Sequence, residues 1–350
     1  MTRSVLLVVA VLALLGGSER TPGNDAARTF LATAFNVGRA EIGRIDAGQV
    51  FSRTLDVSHP REVATLGIVR IRTTPEFYVR RLTDIATFKQ DDAVLQIGTF
   101  SIPPKLEDVA DLTLEDADVR RLRACRVGNC DVQLSAGAIQ RFRGDVTWGG
   151  ADVGKQATSV MRQILVEYVT EYLEIGAPAA MEYADTPEPL NLNDELVSLM
   201  EADSTVWRYV PGLRRHLALY PAARRDGPID VVYWSKERVN RRPVISITHL
   251  AIVPGGDGSL PEYAIASKQI YGMHYFDASL GLTLLVRDRA PSSPATYVVY
   301  LNRSRIDLFD GLFGGIVRKV VSGKARTLVS DQLARLRRTL EPQFAAAHTD

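Results

Sequence analysis

The sequence predicts an α+β fold: a curved antiparallel sheet packed on a long C-terminal helix, with a helical subdomain inserted between strands. Three observations predict it. Residues 49–102 carry alternating and β-branched runs, residues 103–227 switch to helical periodicity, and residues 228–306 return to strands before one long amphipathic stretch. The short connections between the late strands favour antiparallel neighbours.

Composition narrows the class. The chain has 350 residues, 42 basic against 41 acidic side chains, and 46% apolar residues. That balance excludes an intrinsically disordered chain and a multi-span membrane protein. A net charge of +1 gives no field to gather phosphate backbones, so no nucleic-acid partner is expected.

Each element has a local cause. Residues 25–35 read as a short helix. Residues 49–57 alternate and residues 63–72 are rich in β-branched side chains, so Ser58-His59-Pro60 joins two strands. Thr74 then caps a helix whose first position is Pro75, where a missing N–H costs nothing. Phe77, Val79, Leu82, Ile85 and Phe88 recur at helical spacing, and a strand covers 93–100. Within 103–227, helices are expected over 112–122, where acids precede arginines as the helix dipole favours, and over 136–142, 153–175, 190–200 and 212–220. Strands follow over 228–237, 243–253, 262–279, 280–287 and 295–306, divided by Arg-Arg-Pro, Pro-Gly-Gly-Asp-Gly, an Ala-Ser-Leu-Gly bend and Ala-Pro-Ser-Ser-Pro. A helix over 312–340 closes the series. Its stripe of Phe313, Ile316, Val317, Val320, Val321, Leu328, Val329, Leu333, Leu336 and Leu340 requires a large apolar surface beneath it.

The first residues carry an export pattern. Arg3 precedes the apolar run 4–15, which is too short to span a bilayer, and Gly16-Gly17-Ser18 offer small residues for cleavage. Residues 1–18 therefore read as a signal peptide, 19–48 as a linker with a short helix, and the protein as periplasmic or secreted. Cys125 and Cys130 enclose Arg126-Val127-Gly128-Asn129, whose Gly-Asn pair lets the chain turn back, so a disulfide is expected in an oxidising compartment. A loop this short adds about 2 kcal/mol by chain-entropy reasoning. The rival reading, a redox or metal-binding pair, wants two intervening residues or further ligands, and no histidine lies between Leu106 and Trp148.

Two strands, a Thr-Pro-Glu helix entry, an antiparallel series and a long final helix resemble the START-like, or polyketide cyclase-like, helix-grip superfamily. Residues 69–79 (VRIRTTPEFYV) are similar to that family's strand-to-helix opening, and the helix within 311–340 is similar to its last element. The resemblance covers 49–102 and 228–340; 103–227 is an insertion longer than the family's usual connection, and 341–350 a flexible tail. It implies a sheet gripping the terminal helix around a hydrophobic cavity. Members bind lipids, sterols or aromatic polyketides, and some catalyse cyclisation or hydrolysis without a universal catalytic residue.

Strand parity nominates pocket residues. His249 shares a face with Ile245, Ile247, Ala251 and Val253 and so points inward, either as a core histidine or as a proton carrier or ligand-orienting donor. Along 264–277, Lys268, Ile270, Gly272, His274 and Phe276 alternate with Gln269, Tyr271, Met273, Tyr275 and Asp277. This mixture suits a cavity wall, and equally an exposed edge or a contact with the insertion. Arg303 and Arg305 share a face and suit an anionic head group or ordinary ion pairs. The candidate ligand-binding set is therefore His249, Lys268, Gln269, Tyr271, His274, Tyr275, Arg303 and Arg305, with His249 and His274 the candidate general bases. The chain has no G-x-S-x-G elbow, H-E-x-x-H, P-loop or dinucleotide fingerprint. Its five histidines, His59, His216, His249, His274 and His348, lack metal-ligand spacing, so neither metal nor cofactor is expected.

The expected function is binding of a hydrophobic or amphipathic small molecule between sheet and terminal helix, with peripheral contact to a membrane or envelope left open. The alternatives are a cyclase-like or hydrolytic enzyme using a pocket histidine, and an envelope protein without a ligand. A large apolar cavity favours the first, a cavity histidine held by a carboxylate the second, and a packed interior with an exposed apolar patch on the inserted helices the third.

Overall fold

The computed structural model describes residues 22–202, 204–222, 227–239, 242–256, 258–289, 294–307 and 314–348; the expected signal peptide lies outside them. The chain begins with helices α1 (Pro22–Phe35) and α2 (Arg39–Asp46), then strands β1 (Phe51–Thr54) and β2 (Glu62–Ile71). Helices α3 (Pro75–Thr83) and α4 (Ile85–Phe88) lead to β3 (Val94–Thr99). The insertion holds α5 (Asp116–Ala124), α6 (Ala136–Asp145), α7 (Val153–Ile175), the two-residue strands β4 (Glu182–Tyr183) and β5 (Leu190–Asn191), α8 (Leu192–Ala202), α9 (Ser204–Trp207) and α10 (Pro211–Leu219). Strands β6 (Ile229–Val239), β7 (Arg242–Pro254), β8 (Tyr263–Gly272), β9 (Phe276–Asp288) and β10 (Ala295–Ile306) follow, and α11 (Gly314–Ala346) closes the series.

Strands β6 to β10 form an antiparallel meander, and the early strands extend it at both edges. The order is β1-β2-β10-β9-β8-β7-β6-β3 in one curved eight-stranded sheet. Both faces are covered. Leu66, Ile68, Ile245, Ile247 and Ala251 belong to a core shared with α1, α2 and the inserted helices, while Val69, Ile71, Leu250 and Ile252 belong to a second core with α3 and α11. Because side chains alternate between two covered faces, the central strands are buried along most of their length, polar residues such as Lys236, Lys268 and Arg303 included.

The fold class agrees with the expectation, and local differences have identifiable causes. Thr74 caps α3 as expected, its hydroxyl accepting from the Phe77 amide at 3.2 Å, with Pro75 in the first turn. The expected single helix over 77–88 breaks at Asp84, whose backbone leaves the helical region and whose carboxylate accepts from the Thr87 amide to start α4. The expected strand over 262–279 is two strands. The chain reverses at Met273-His274-Tyr275 rather than at residues 278–281, with Tyr275 at φ 68° and the Phe276 amide donating to the His274 carbonyl. Gly272 suits this reversal, because a Cβ there would lie 3.2 Å from the Phe276 carbonyl oxygen of the returning strand and against the Gln269 side chain. The Cys125–Cys130 disulfide is formed, with Gly128 at φ 81° in its turn.

The terminal helix docks mainly from Val329 onward, with Val321 and Ala325 of its first half packed against Val63 and Ile306. Val329, Leu333 and Leu340 are buried, whereas Val317, Val320 and Leu328 of the expected stripe are exposed. The helix continues to Ala346, where a tail from 341 is expected; Glu341 accepts from the Arg72 amide at 3.0 Å and ties this end to the residue after β2. The helix crosses the sheet over Gly67, where a Cβ would sit 2.5 Å from both Leu333 Cδ1 and Val329 Cγ1.

Candidate functional site

A cavity of about 320 Å³ lies between the sheet and α11, with α3 and α4 closing one side. Its floor follows strand parity: Ile265 and Ser267 on β8, Val298 and Tyr300 on β10, Tyr233 and Glu237 on β6, with Leu250 and Thr283 between them. Its roof is one face of α11, with Leu333, Leu336, Leu340 and Gln343 at helical spacing. Tyr78 and Phe88, in edge contact at 5.5 Å between ring centroids, form the side wall. The volume falls within the range of small-molecule sites, and the lining mixes apolar and aromatic side chains with charged ones such as Arg81, Lys89, Asp91, Glu237 and Arg335.

Polar groups sit in defined places. Lys89 Nζ donates to Glu237 Oε1 at 2.7 Å and lies 5.3 Å from the centre of the Tyr233 ring. Burial alone would lower the Lys89 ammonium, but Tyr233 and Glu237 outweigh that and raise it above its ordinary range. Arg335 pairs with Asp91 where both line the cavity. Gln343 Oε1 is buried with no hydrogen-bond partner among the described residues. A carboxamide oxygen left in that state favours any donor that reaches it.

None of the eight residues nominated from the sequence lines this cavity. His249, Lys268, Gln269, Tyr271 and His274 are buried, and His249 lies on the opposite face of the sheet, in contact with Tyr172 of α7. His249 and His274 do not meet. His249 Nε2 lies 2.8 Å from Asp230 Oδ1, and its Nδ1 lies 2.8 Å from the Tyr172 hydroxyl. His216 Nε2 lies 2.7 Å from the same Asp230 oxygen. Burial would raise the Asp230 carboxyl, but hydrogen bonds from His216 and His249 overturn that and hold it well below the usual carboxylate range. Burial pushes the His249 imidazole down, against the raising effect of Asp230. Lys268 pairs with His249 across β7 and β8, with its Nζ 5.6 Å from the centre of the Tyr172 ring, and burial lowers it to about 8.

His274 instead contacts Asp118 Oδ1 at 3.3 Å, which Arg121 and Arg242 also approach. Tyr275 lines an open cleft beside these arginines. Gln269 packs against Gly272, and Tyr271 is fully buried against Tyr183 with its hydroxyl unpartnered among the described residues. Arg303 forms a buried pair with Glu62. Arg305 pairs with Glu195 of α8 and donates to the Ser198 hydroxyl at 2.6 Å. Both arginines are thus ion-paired within the protein.

Beside Arg305, Arg61 reaches Glu195 at 3.6 Å and donates to Asp277 at 2.6 Å. Burial, only partly opposed by Arg61, pushes Asp277 up to about 7. Its folded value lies above its ordinary value of 3.8, so its contribution to stability is complete below about pH 4 and is lost as pH rises through 7. Asp277→Asn should therefore narrow the stability difference between pH 5 and pH 8. Urea unfolding of both proteins at the two values checks this, and an unchanged difference contradicts it.

Sequence reasoning missed Asp230, His216 and Tyr172 as partners of His249, and all the cavity residues. Parity puts Ser267 on one face with Ile265, and Tyr300 on one face with Val298, but both strands carry other polar residues, so neither position stood out. Among the described residues, no helix is long and apolar enough to cross a membrane. No family model and no curated protein matches the chain.

Proposed function

We propose that this is an exported protein of the START-like, helix-grip kind that binds a hydrophobic or amphipathic small molecule between its sheet and α11. The carrying observation is the cavity of about 320 Å³ with mixed apolar and polar walls, which suit an amphipathic molecule, and an unpartnered Gln343 oxygen. The antiparallel sheet packed on a terminal helix is compatible with the helix-grip arrangement. The Cys125–Cys130 disulfide is compatible with an oxidising compartment. The enzymatic alternative has less support, since His249, although held by a carboxylate, does not line this cavity.

Native mass spectrometry of protein purified from its exported compartment should show a retained adduct that organic extraction releases. Ser267→Trp places an indole in the cavity and should remove that adduct while leaving a folded protein by circular dichroism. It should also weaken binding of a fluorescent fatty-acid analogue by about tenfold or more, the scale of losing ~1.4 kcal/mol. A wild-type protein that carries no adduct and ignores the probe overturns the proposal, as does a Ser267→Trp variant that binds both unchanged.

A further inference from the structure

We propose that His216, Asp230 and His249 form a binding site for a divalent transition-metal cation. The site lies on the opposite face of the sheet and does not depend on the proposed ligand cavity. Asp230 and His249 come together because β6 and β7 are neighbours, with Val232 opposite His249, so Asp230 lies two residues along on the same face. His216 comes from α10, which packs on β7. One ligand atom from each residue lies within 4.8 Å of the other two, close enough for a single ion to touch all three. The linear spacing hid this cluster, since its members sit on three different elements.

The donor set selects the cation. Two imidazoles and one carboxylate suit Zn²⁺ and its first-row neighbours, whereas Ca²⁺ and Mg²⁺ want oxygen cages and Cu⁺ wants sulfur. A carboxylate only accepts, so in the hydrogen-bonded form both Nε2 atoms carry protons directed at Asp230. An imidazole that ligates through Nε2 carries its proton on Nδ1 instead. His249 can make that exchange without loss. Its Nδ1 now accepts from the Tyr172 hydroxyl at 2.8 Å and would then donate to the same oxygen. Tyr172 is thus a positioning residue that orients the His249 ring in either state.

The charged groups around the trio set its affinity. Asp230 supplies the negative charge, while Lys268, opposite His249, opposes a dication. The rings of Tyr172 and Tyr220 cover His249, with the Tyr220 centroid 4.3 Å away. Three protein ligands leave at least one coordination position for water or a small ligand, the pattern of reactive rather than purely structural metal sites.

The test uses full-length protein stripped with a chelator, then titrated with Zn²⁺ by calorimetry and with Co²⁺ by visible absorption. One equivalent of Zn²⁺ should bind, and Co²⁺ should give a ligand-field spectrum that Zn²⁺ abolishes. Asp230→Asn should weaken Zn²⁺ binding by about a hundredfold, and Tyr172→Phe by about tenfold through the lost orienting partner. Lys268→Met, which removes the opposing charge, should tighten it. Circular dichroism reports whether each variant is folded, and the wild-type titration stands independently of them. A wild-type protein that takes up no Zn²⁺, or a folded Asp230→Asn that binds it unchanged, overturns the site and leaves the trio as a hydrogen-bonded cross-link between α10 and the sheet.

Discussion

Gly176→Ala should destabilise the protein by about 2–6 kcal/mol, combining roughly 1–3 kcal/mol of backbone strain with a similar cost for forced overpacking. Gly176 ends α7 at φ 70°, ψ −128°, a conformation that side chains with a Cβ rarely adopt. A Cβ there would lie 2.0 Å from the Tyr220 carbonyl oxygen and 2.9 Å from its carbon. Backbone atoms cannot move aside as a flexible side chain does, so Tyr220 itself must shift. Tyr220 stacks on Tyr172 and covers His249, which carries the disturbance into the Asp230 cluster. Chemical denaturation should show the lower midpoint, and a loss under about 0.5 kcal/mol, the ordinary surface range, would contradict this account.

Glu62→Ala is the second large effect, at about 3–5 kcal/mol, because it removes one partner of a buried ion pair and leaves the other charge in place. The Glu62 and Arg303 side chains are 2% and 9% exposed, on the adjacent strands β2 and β10. The pair itself is less valuable than its rupture is costly, since desolvation offsets most of the attraction. A double Glu62→Met, Arg303→Met variant should therefore recover much of the loss. Thermal unfolding of the three proteins decides the matter, and a double variant as unstable as Glu62→Ala alone would show that the pair specifies the local packing.

The sequence made the architecture legible wherever local chemistry and tertiary packing agreed. Thr74-Pro75 opens a helix in isolation and does so here, and α7 runs over the residues its apolar period marks. The inward direction of His249 followed from a period of two. What that direction faced did not, because both faces of this sheet are covered and parity cannot say which layer lies on which side. Arg303 and Arg305 illustrate the same limit: their partners, Glu62 and Glu195, are 241 and 110 residues away. The turn at His274-Tyr275 was illegible for another reason. It has no Pro, Asn or Asp marker, and the preceding glycine works through close approach of the returning strand.

The placement of β2 bears on how the chain assembles. Its partner β10 begins more than two hundred residues later, so a growing polypeptide carries β2 with one ladder of amide and carbonyl groups unmet throughout synthesis of the helical layer. Closure waits on the most distant pairing, which is the slow kind. Until then that bare rim can recruit a strand from another molecule, and a holdase that shields residues 62–71 would raise the folded yield more than any catalyst of helix formation.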